Sequence, residues 1–195
     1  MAYFVTGATG FIGQHLVERL LENRKDEIYV LVREGSADKL ETLMTKWSEF
    51  GDTDRVKPVF GDLSQPLLGV DSDERQKLSG KIDHFFHLAA VYDMTADEEQ
   101  NVRLNVGGTE NAVELANEIG AGIFHHTSSI AAAGMFKGHF TEDMFDEGQK
   151  LTHPYHRTKF ESERYVRKQV KGAWQVYRPA IVVGHSKTGE MDKID

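Results

Sequence analysis

Tyr155 and Lys159 stand four residues apart in Tyr155-His156-Arg157-Thr158-Lys159, a spacing that projects both side chains from one face of a helix. With an unperturbed pKa of ~10, a tyrosine gives up a proton near neutral pH only with help, and a neighbouring ammonium helps by stabilising the phenolate left behind. The pair therefore reads as a general acid. Such a spacing is commonplace on amphipathic helices, and here it gains weight from what precedes it. Ser128 and Ser129 follow His125-His126-Thr127, where a hydroxyl can hydrogen-bond a carbonyl oxygen as negative charge develops on it. Ser129 is the preferred donor and Ser128 the alternative.

Near the start of the chain, Gly7, Gly10 and Gly13 follow Tyr3-Phe4-Val5-Thr6 and lead into a helical pattern. Glycines at such a junction let the backbone turn tightly and approach a pyrophosphate, whose charge is favoured by N–H groups at the helix N-terminus. The spacing is G-x-x-G-x-x-G and differs from the simple dehydrogenase fingerprint G-x-G-x-x-G. The second apolar run ends Val30-Leu31-Val32-Arg33, where an acidic residue would accept from the ribose 2′-hydroxyl of NAD. Arg33 instead offers a guanidinium suited to a 2′-phosphate, which favours NADPH over NAD, although Glu34 beside it could still bind ribose. Asp62, after the third run, either accepts from an adenine amino group or starts a turn. Ala89 and Ala90, after the fourth, are small enough for a cofactor to pass closely or serve packing alone. Arg178-Pro179 either borders a nicotinamide or terminates a strand.

Positioning these residues requires strands that end near one another. Short apolar runs at Tyr3–Thr6, Glu27–Val32, Val56–Phe60, His84–Leu88, Gly122–Thr127 and Trp174–Tyr177 predict buried strands of a parallel sheet. Helical patterns lie between them. Phe11–Glu22 carries Ile12, Leu16, Leu20 and Leu21 on one face, Asp97–Ile119 continues one long amphipathic pattern, and Pro154 suits the first turn of a helix over Tyr155–Val170. Repeated strand-helix units predict a doubly wound α/β fold. The longest aperiodic segment, Ala131–His153, follows the fifth strand, where loops border the ligand crevice of such sheets. Its distal half, Lys137–Lys150, reads equally well as a surface excursion.

Composition narrows the chemistry. The 195 residues suit one domain with a substantial core, and 23 Lys plus Arg against 31 Asp plus Glu leave a formal charge of -8 with no basic block for a nucleic acid. Cysteine is absent, which excludes disulfides, thiolate-ligated zinc and a thiolate nucleophile. Nine histidines raise the question of a metal, but His84 and His87 fall in a strand pattern. His125 and His126 are adjacent and would face opposite sides of a sheet, so structural roles are favoured and no metal is expected. Asp97-Glu98-Glu99 complements a helix dipole. No apolar run approaches the ~18 residues of a membrane span, and the first strand begins too early for a signal peptide, so a soluble cytoplasmic chain is expected.

Taken together, Thr6-Gly7-Ala8-Thr9-Gly10-Phe11-Ile12-Gly13, Gly61-Asp62-Leu63, His87-Leu88-Ala89-Ala90, Asn105-Val106-Gly107-Gly108-Thr109, Ser128-Ser129, Tyr155-x-x-x-Lys159 and Tyr177-Arg178-Pro179 closely resemble the extended short-chain dehydrogenase/reductase family. That resemblance implies an NAD(P)-binding Rossmann domain over residues 1–195, with Ser129, Tyr155 and Lys159 in the catalytic places. It implies cofactor contacts at Thr6, Gly7, Thr9, Gly10, Phe11, Ile12, Gly13, Arg33, Asp62, Leu63, Ala89, Ala90, Tyr155, Lys159 and Pro179. Asn105 falls in the family's helix motif, with a structural role as well supported as a catalytic one. Val30–Glu34, Ser129–Gly134, Phe140–Phe145 and Val183–Lys193 further resemble bacterial fatty acyl-CoA and fatty aldehyde reductases. The implied reaction is NADPH-dependent reduction of an acyl thioester or aldehyde, with a homo-oligomer left open. Sugar-nucleotide epimerases or dehydratases and ketone or steroid reductases share the same trio. A non-enzymatic NADPH sensor or scaffold is disfavoured by the intact Tyr155 and Lys159. Extended family members usually continue into a C-terminal substrate-binding portion, so the chain is expected to be the N-terminal part of a longer reductase.

Overall fold

The structure is a computed structural model that describes residues 1–90, 98–184, 186, 187 and 189, with residues 98–103 described by backbone alone. Six parallel strands form one sheet: β1 (Tyr3–Thr6), β2 (Ile28–Val32), β3 (Val56–Phe60), β4 (His84–His87), β5 (Ile123–Thr127) and β6 (Ala173–Tyr177), in spatial order β3-β2-β1-β4-β5-β6. The chain builds outward from β1 to β3, then crosses back to lay β4 on the other side of β1. This reversal opens a crevice beyond the C-terminal ends of β1 and β4, where doubly wound sheets bind ligands. The predicted fold class is therefore realised.

Alternation along the strands divides the core in two. Phe4, Phe85 and Phe124 face one side, where Ala112, Val113, Leu115 and Ala116 of α4 (Glu98–Glu118) and Val166 of α5 (Pro154–Gln169) cover them. Val5 and Val30 face the other, packed by Val17, Leu20 and Leu21 of α1 (Phe11–Asn23) and by Leu40, Leu43 and Trp47 of α2 (Ala37–Trp47). Each fully buried apolar side chain contributes ~1.5–3 kcal/mol, so the two faces hold the strand ends rigidly in register.

Strand and helix bounds agree with the sequence reading to within a residue or two, except where Asp97 lies outside the described residues. Two helices were not placed by that reading. The apolar face of α2 is spaced at Leu40, Leu43 and Trp47, a legible signal. By contrast α3 (Ser72–Leu78) buries only Leu78 and is set by its cap, Asp71, whose carboxylate accepts from the N–H groups of Asp73 and Glu74 at 2.9 Å each. One expectation is corrected: the two edge strands are not buried along their length. β6 alternates exposed and half-buried, with Tyr177 46% exposed, and β3 leaves Lys57, Pro58 and Phe60 exposed.

Candidate active site

The glycine turn is shaped so that no other residue fits at two positions. Gly7 has φ +75°, and a Cβ there would lie 2.7 Å from the Ala89 nitrogen, so β1 and β4 approach through a gap only glycine leaves. At Gly13 a Cβ would lie 2.0 Å from the Gly7 carbonyl oxygen. The turn closes on itself through Gly10 N–H to the Gly7 carbonyl, 2.9 Å. Gly10 then caps α1 without a side chain, leaving the leading N–H groups of that helix for water or an anion.

Thr6 is fully buried rather than in the crevice: its hydroxyl accepts from Ala89 N–H at 3.3 Å and pairs with His87 Nδ1 at 2.9 Å. It holds the β4 exit against β1. A cavity of about 310 Å³ opens here, lined by Gly7, Thr9, Gly10, Arg33, Ser36, Asp62, Leu63, Ala89 and Ala90 among others. Most of the residues expected to bind the cofactor thus meet at one place. The cradle without side chains and the uncapped helix end fit the pyrophosphate of a dinucleotide.

At the far end of this cavity Arg33 is exposed, and its charge helps hold Asp62 ionised. The carboxyl of Asp62 lies below its ordinary range chiefly because the Ser64 hydroxyl and N–H both donate to Oδ1, at 2.6 and 2.7 Å. The turn-starting role of Asp62 is therefore realised. Leu63 is fixed by Asn111, which donates to its carbonyl at 2.8 Å. Ser36 and Asn111 were not singled out by the sequence, since a lone serine after a strand or an asparagine within a helix carries no local signal.

On α5 the Tyr155/Lys159 pairing appears as the spacing required: Lys159 Nζ lies 5.9 Å from the Tyr155 ring centroid and donates to the Thr127 carbonyl at 3.3 Å. Lys159 is only 6% exposed, and its burial pulls the ammonium pKa down to about 8. α5 packs on the single turn Ile130–Ala133, which Ser129 caps by accepting from Ala131 N–H at 3.1 Å. Ser129 is partly accessible. Ser128 is buried and its hydroxyl donates to Glu163 at 2.8 Å, so of the two serines Ser129 is the one left near the crevice.

A second, open cavity of about 1180 Å³ runs past Phe86, Leu88, Thr127, Ile130, Pro179 and Val182, with Ile12 on its rim. Phe11 is half-buried beside Ile12 at the head of α1. The Ala131–His153 segment borders this cavity through Ala133, Phe140, Thr141 and Glu142. Its distal half is tied down as well, since Gln149 donates to the carbonyls of Ala132 and Phe145 at 2.8 Å each.

Arg178 pairs with Glu163 at 2.6 Å, while the Pro179 carbonyl accepts from Ile130 N–H at 3.2 Å. His125 stacks on Phe86 at 4.2 Å and His126 on His87 at 5.7 Å, on opposite sheet faces as expected. Asn105 is buried, and its carbonyl accepts from Thr109 at 2.7 Å and Ser162 at 3.1 Å. Among the described residues no helix is long and apolar enough to cross a membrane.

Comparison with known proteins is consistent with this geometry. The NAD-binding family described as "Male sterility protein" matches residues 5–195. One chain of the linear gramicidin synthase of Brevibacillus parabrevis is 32% identical over 100% of this chain and 4% of its own length. Aldehyde reductase lnaA of Aspergillus flavus is 28% identical over 98% of this chain and 20% of its own. The terminal R domain from the myxalamid PKS-NRPS biosynthetic pathway superposes with a TM-score of 0.86 at 28% identity, covering 100% of this chain and 52% of that one. The chain thus spans a small part of these curated relatives and about half of the R domain.

Proposed function

The chain belongs to the male sterility family of NAD-binding domains, and from that membership we propose that it is the cofactor-binding and proton-donating half of an NADPH-dependent reductase. Its substrate is a fatty acyl thioester, a fatty aldehyde, or both in succession. The observation that carries this reading is the Tyr155/Lys159 pair on a helix that packs on the turn capped by Ser129, in a chain whose first strand-helix turn is a glycine cradle suited to a dinucleotide. The aldehyde reductase among the relatives supports a carbonyl substrate. The thioester rests on the resemblance to fatty acyl-CoA reductases.

In this reading Gly7, Gly10 and Gly13 accommodate the pyrophosphate, Asp62 the adenine, and Arg33 with Ser36 the 2′-phosphate. The bound nicotinamide supplies a hydride to the carbonyl carbon. Ser129 donates a hydrogen bond to the carbonyl oxygen, and Tyr155 gives that oxygen its proton as the carbon–oxygen π pair moves onto it. The ammonium of Lys159 stabilises the resulting phenolate and holds the nicotinamide ribose. For a thioester, the tetrahedral hemithioacetal would return its hydroxyl proton to the Tyr155 phenolate as the carbon–sulfur bond breaks and thiolate leaves, giving an aldehyde that a second equivalent of NADPH would reduce to alcohol. The full-length natural protein should oxidise NADPH when given a long-chain acyl-CoA or a long-chain aldehyde, followed by absorbance. Saturable NADPH binding with no oxidation by either substrate would overturn the assignment.

A further inference from the structure

The carboxylate of Glu163 is fully buried, yet three segments of the chain converge on it. Ser128 donates to Oε2 at 2.8 Å from the end of β5, and Arg167 donates to Oε1 at 2.8 Å from the next turn of α5. Arg178, just past β6, reaches both oxygens, at 3.0 and 2.6 Å. The same guanidinium donates to the Met144 carbonyl at 2.9 Å and lies 5.3 Å from the Phe140 ring. Arg167 covers Phe145 at 4.6 Å, and Phe145 in turn stacks on Phe160 at 4.5 Å.

Two cations and a hydroxyl satisfy the carboxylate, so this is a connected polar network of the kind that fixes one arrangement. What it fixes lies around the acid site. Glu163 follows Lys159 by one helical turn, and the two grip consecutive residues of the β5 exit: Lys159 the Thr127 carbonyl and Glu163 the Ser128 hydroxyl. Ser129 comes next. Its flanks are pinned to the end of β6 and the segment just past it, through Ser128 N–H to the Tyr177 carbonyl at 2.8 Å and Ile130 N–H to the Pro179 carbonyl at 3.2 Å.

We propose that Glu163 is a positioning residue for the reduction, setting Ser129 against Tyr155 through Ser128 and clamping the Phe140–Phe145 wall of the crevice through Arg178. This rests on Ser129 and Tyr155 being the hydrogen-bond and proton donors. Displacing Ser129 relative to the carbonyl oxygen costs turnover rather than cofactor affinity, because the glycine cradle lies on β1 and α1, away from Glu163. Ser128→Ala removes the link without unpairing the two arginines, and Glu163→Gln weakens the whole network.

The test combines kinetics and amide hydrogen exchange on the full-length natural protein. Ser128→Ala should lower kcat about 10-fold or more, with KM for NADPH unchanged. Ser128→Thr, which restores the hydroxyl, should recover most of it, and Ser129→Ala should lose more than Ser128→Ala. In exchange, Ser128→Ala should quicken Ile130–Gly134, and Glu163→Gln should quicken both Ile130–Gly134 and Phe140–Phe145. An unaltered kcat in Ser128→Ala, or unaltered exchange at Ile130–Gly134, overturns the proposal. If Glu163→Gln does not fold, Ser128→Ala decides the matter. If the wild-type protein reduces nothing, the reductase reading fails while exchange still decides whether Glu163 holds this turn.

Discussion

In the proposed reductase Tyr155 is the proton donor, with Lys159 serving it as an ammonium and Ser129 serving the carbonyl as a hydrogen-bond donor. Tyr155→Phe should therefore reduce kcat about 10²- to 10⁴-fold with little change in NADPH affinity, measured by steady-state kinetics and cofactor titration. Lys159 sets the pH range. Its pKa of about 8 in the folded chain means that the ammonium is lost as pH rises through that value, so kcat/KM should fall above about pH 8. The stability linkage has the opposite sign: the folded state holds this proton less tightly than the unfolded chain, so the stability penalty is full below pH 8 and relieved as pH rises toward 10.5. Arg33 is exposed, and in the proposed function it meets the 2′-phosphate of the cofactor. Arg33→Ala should weaken NADPH by about 10-fold or more and leave NADH almost unchanged in fluorescence titrations; equal losses would remove Arg33 from the 2′-phosphate.

At the scale of elements, the β1–α1 turn is the part with least tolerance. A methyl group at Gly13 would collide with backbone, not with a side chain that could swing away. Gly13→Ala should therefore abolish measurable dinucleotide binding and lower stability by ~1–3 kcal/mol, read by titration and by denaturant unfolding. The strands were legible as short continuous apolar runs, and three helices by an apolar period of about 3.6. α3 was not legible, since seven residues with one buried side chain have no period to detect, and its cap acts through local hydrogen bonds. The exposed face of β6 has a different cause. Trp174, Val176 and Tyr177 look like a core strand in sequence, and only its place at the sheet edge decides otherwise.

Across the whole molecule, burial of histidines in the sheet makes acid the weak side of the fold. Burial, reinforced by the charge of Lys159, takes His87 down to about 3, and His126 lies well below its ordinary value for the same first cause. Both stay neutral in the folded chain but take up protons when it unfolds near pH 6.5. Their stability contribution is thus full above pH 6.5 and is lost as pH falls toward 3. The unfolding free energy should drop by about 3 kcal/mol from His87 alone between pH 7 and 4.5 in urea titrations, with His126 adding to it, and His126→Leu should flatten that slope. Glu163 acts in a lower window. Burial alone would raise its carboxyl, but hydrogen bonds from Arg178, Ser128 and Arg167 prevail and leave it below the ordinary value, so its contribution is lost only as pH falls past the carboxylate range.

By itself the sequence determined the doubly wound class, the glycine turn and the Tyr155/Lys159 pair, because each depends on residues close together in the chain. Ser129 was preferred there but not separated from Ser128. Tertiary structure sent the Ser128 hydroxyl into the buried Glu163 network and left Ser129 partly accessible. It likewise turned Thr6 inward and committed Arg178 to Glu163. These outcomes depend on partners 15, 35 and 81 residues away, and hydrogen-bond satisfaction in a packed interior is decided by what folding brings alongside, which spacing along one chain does not encode.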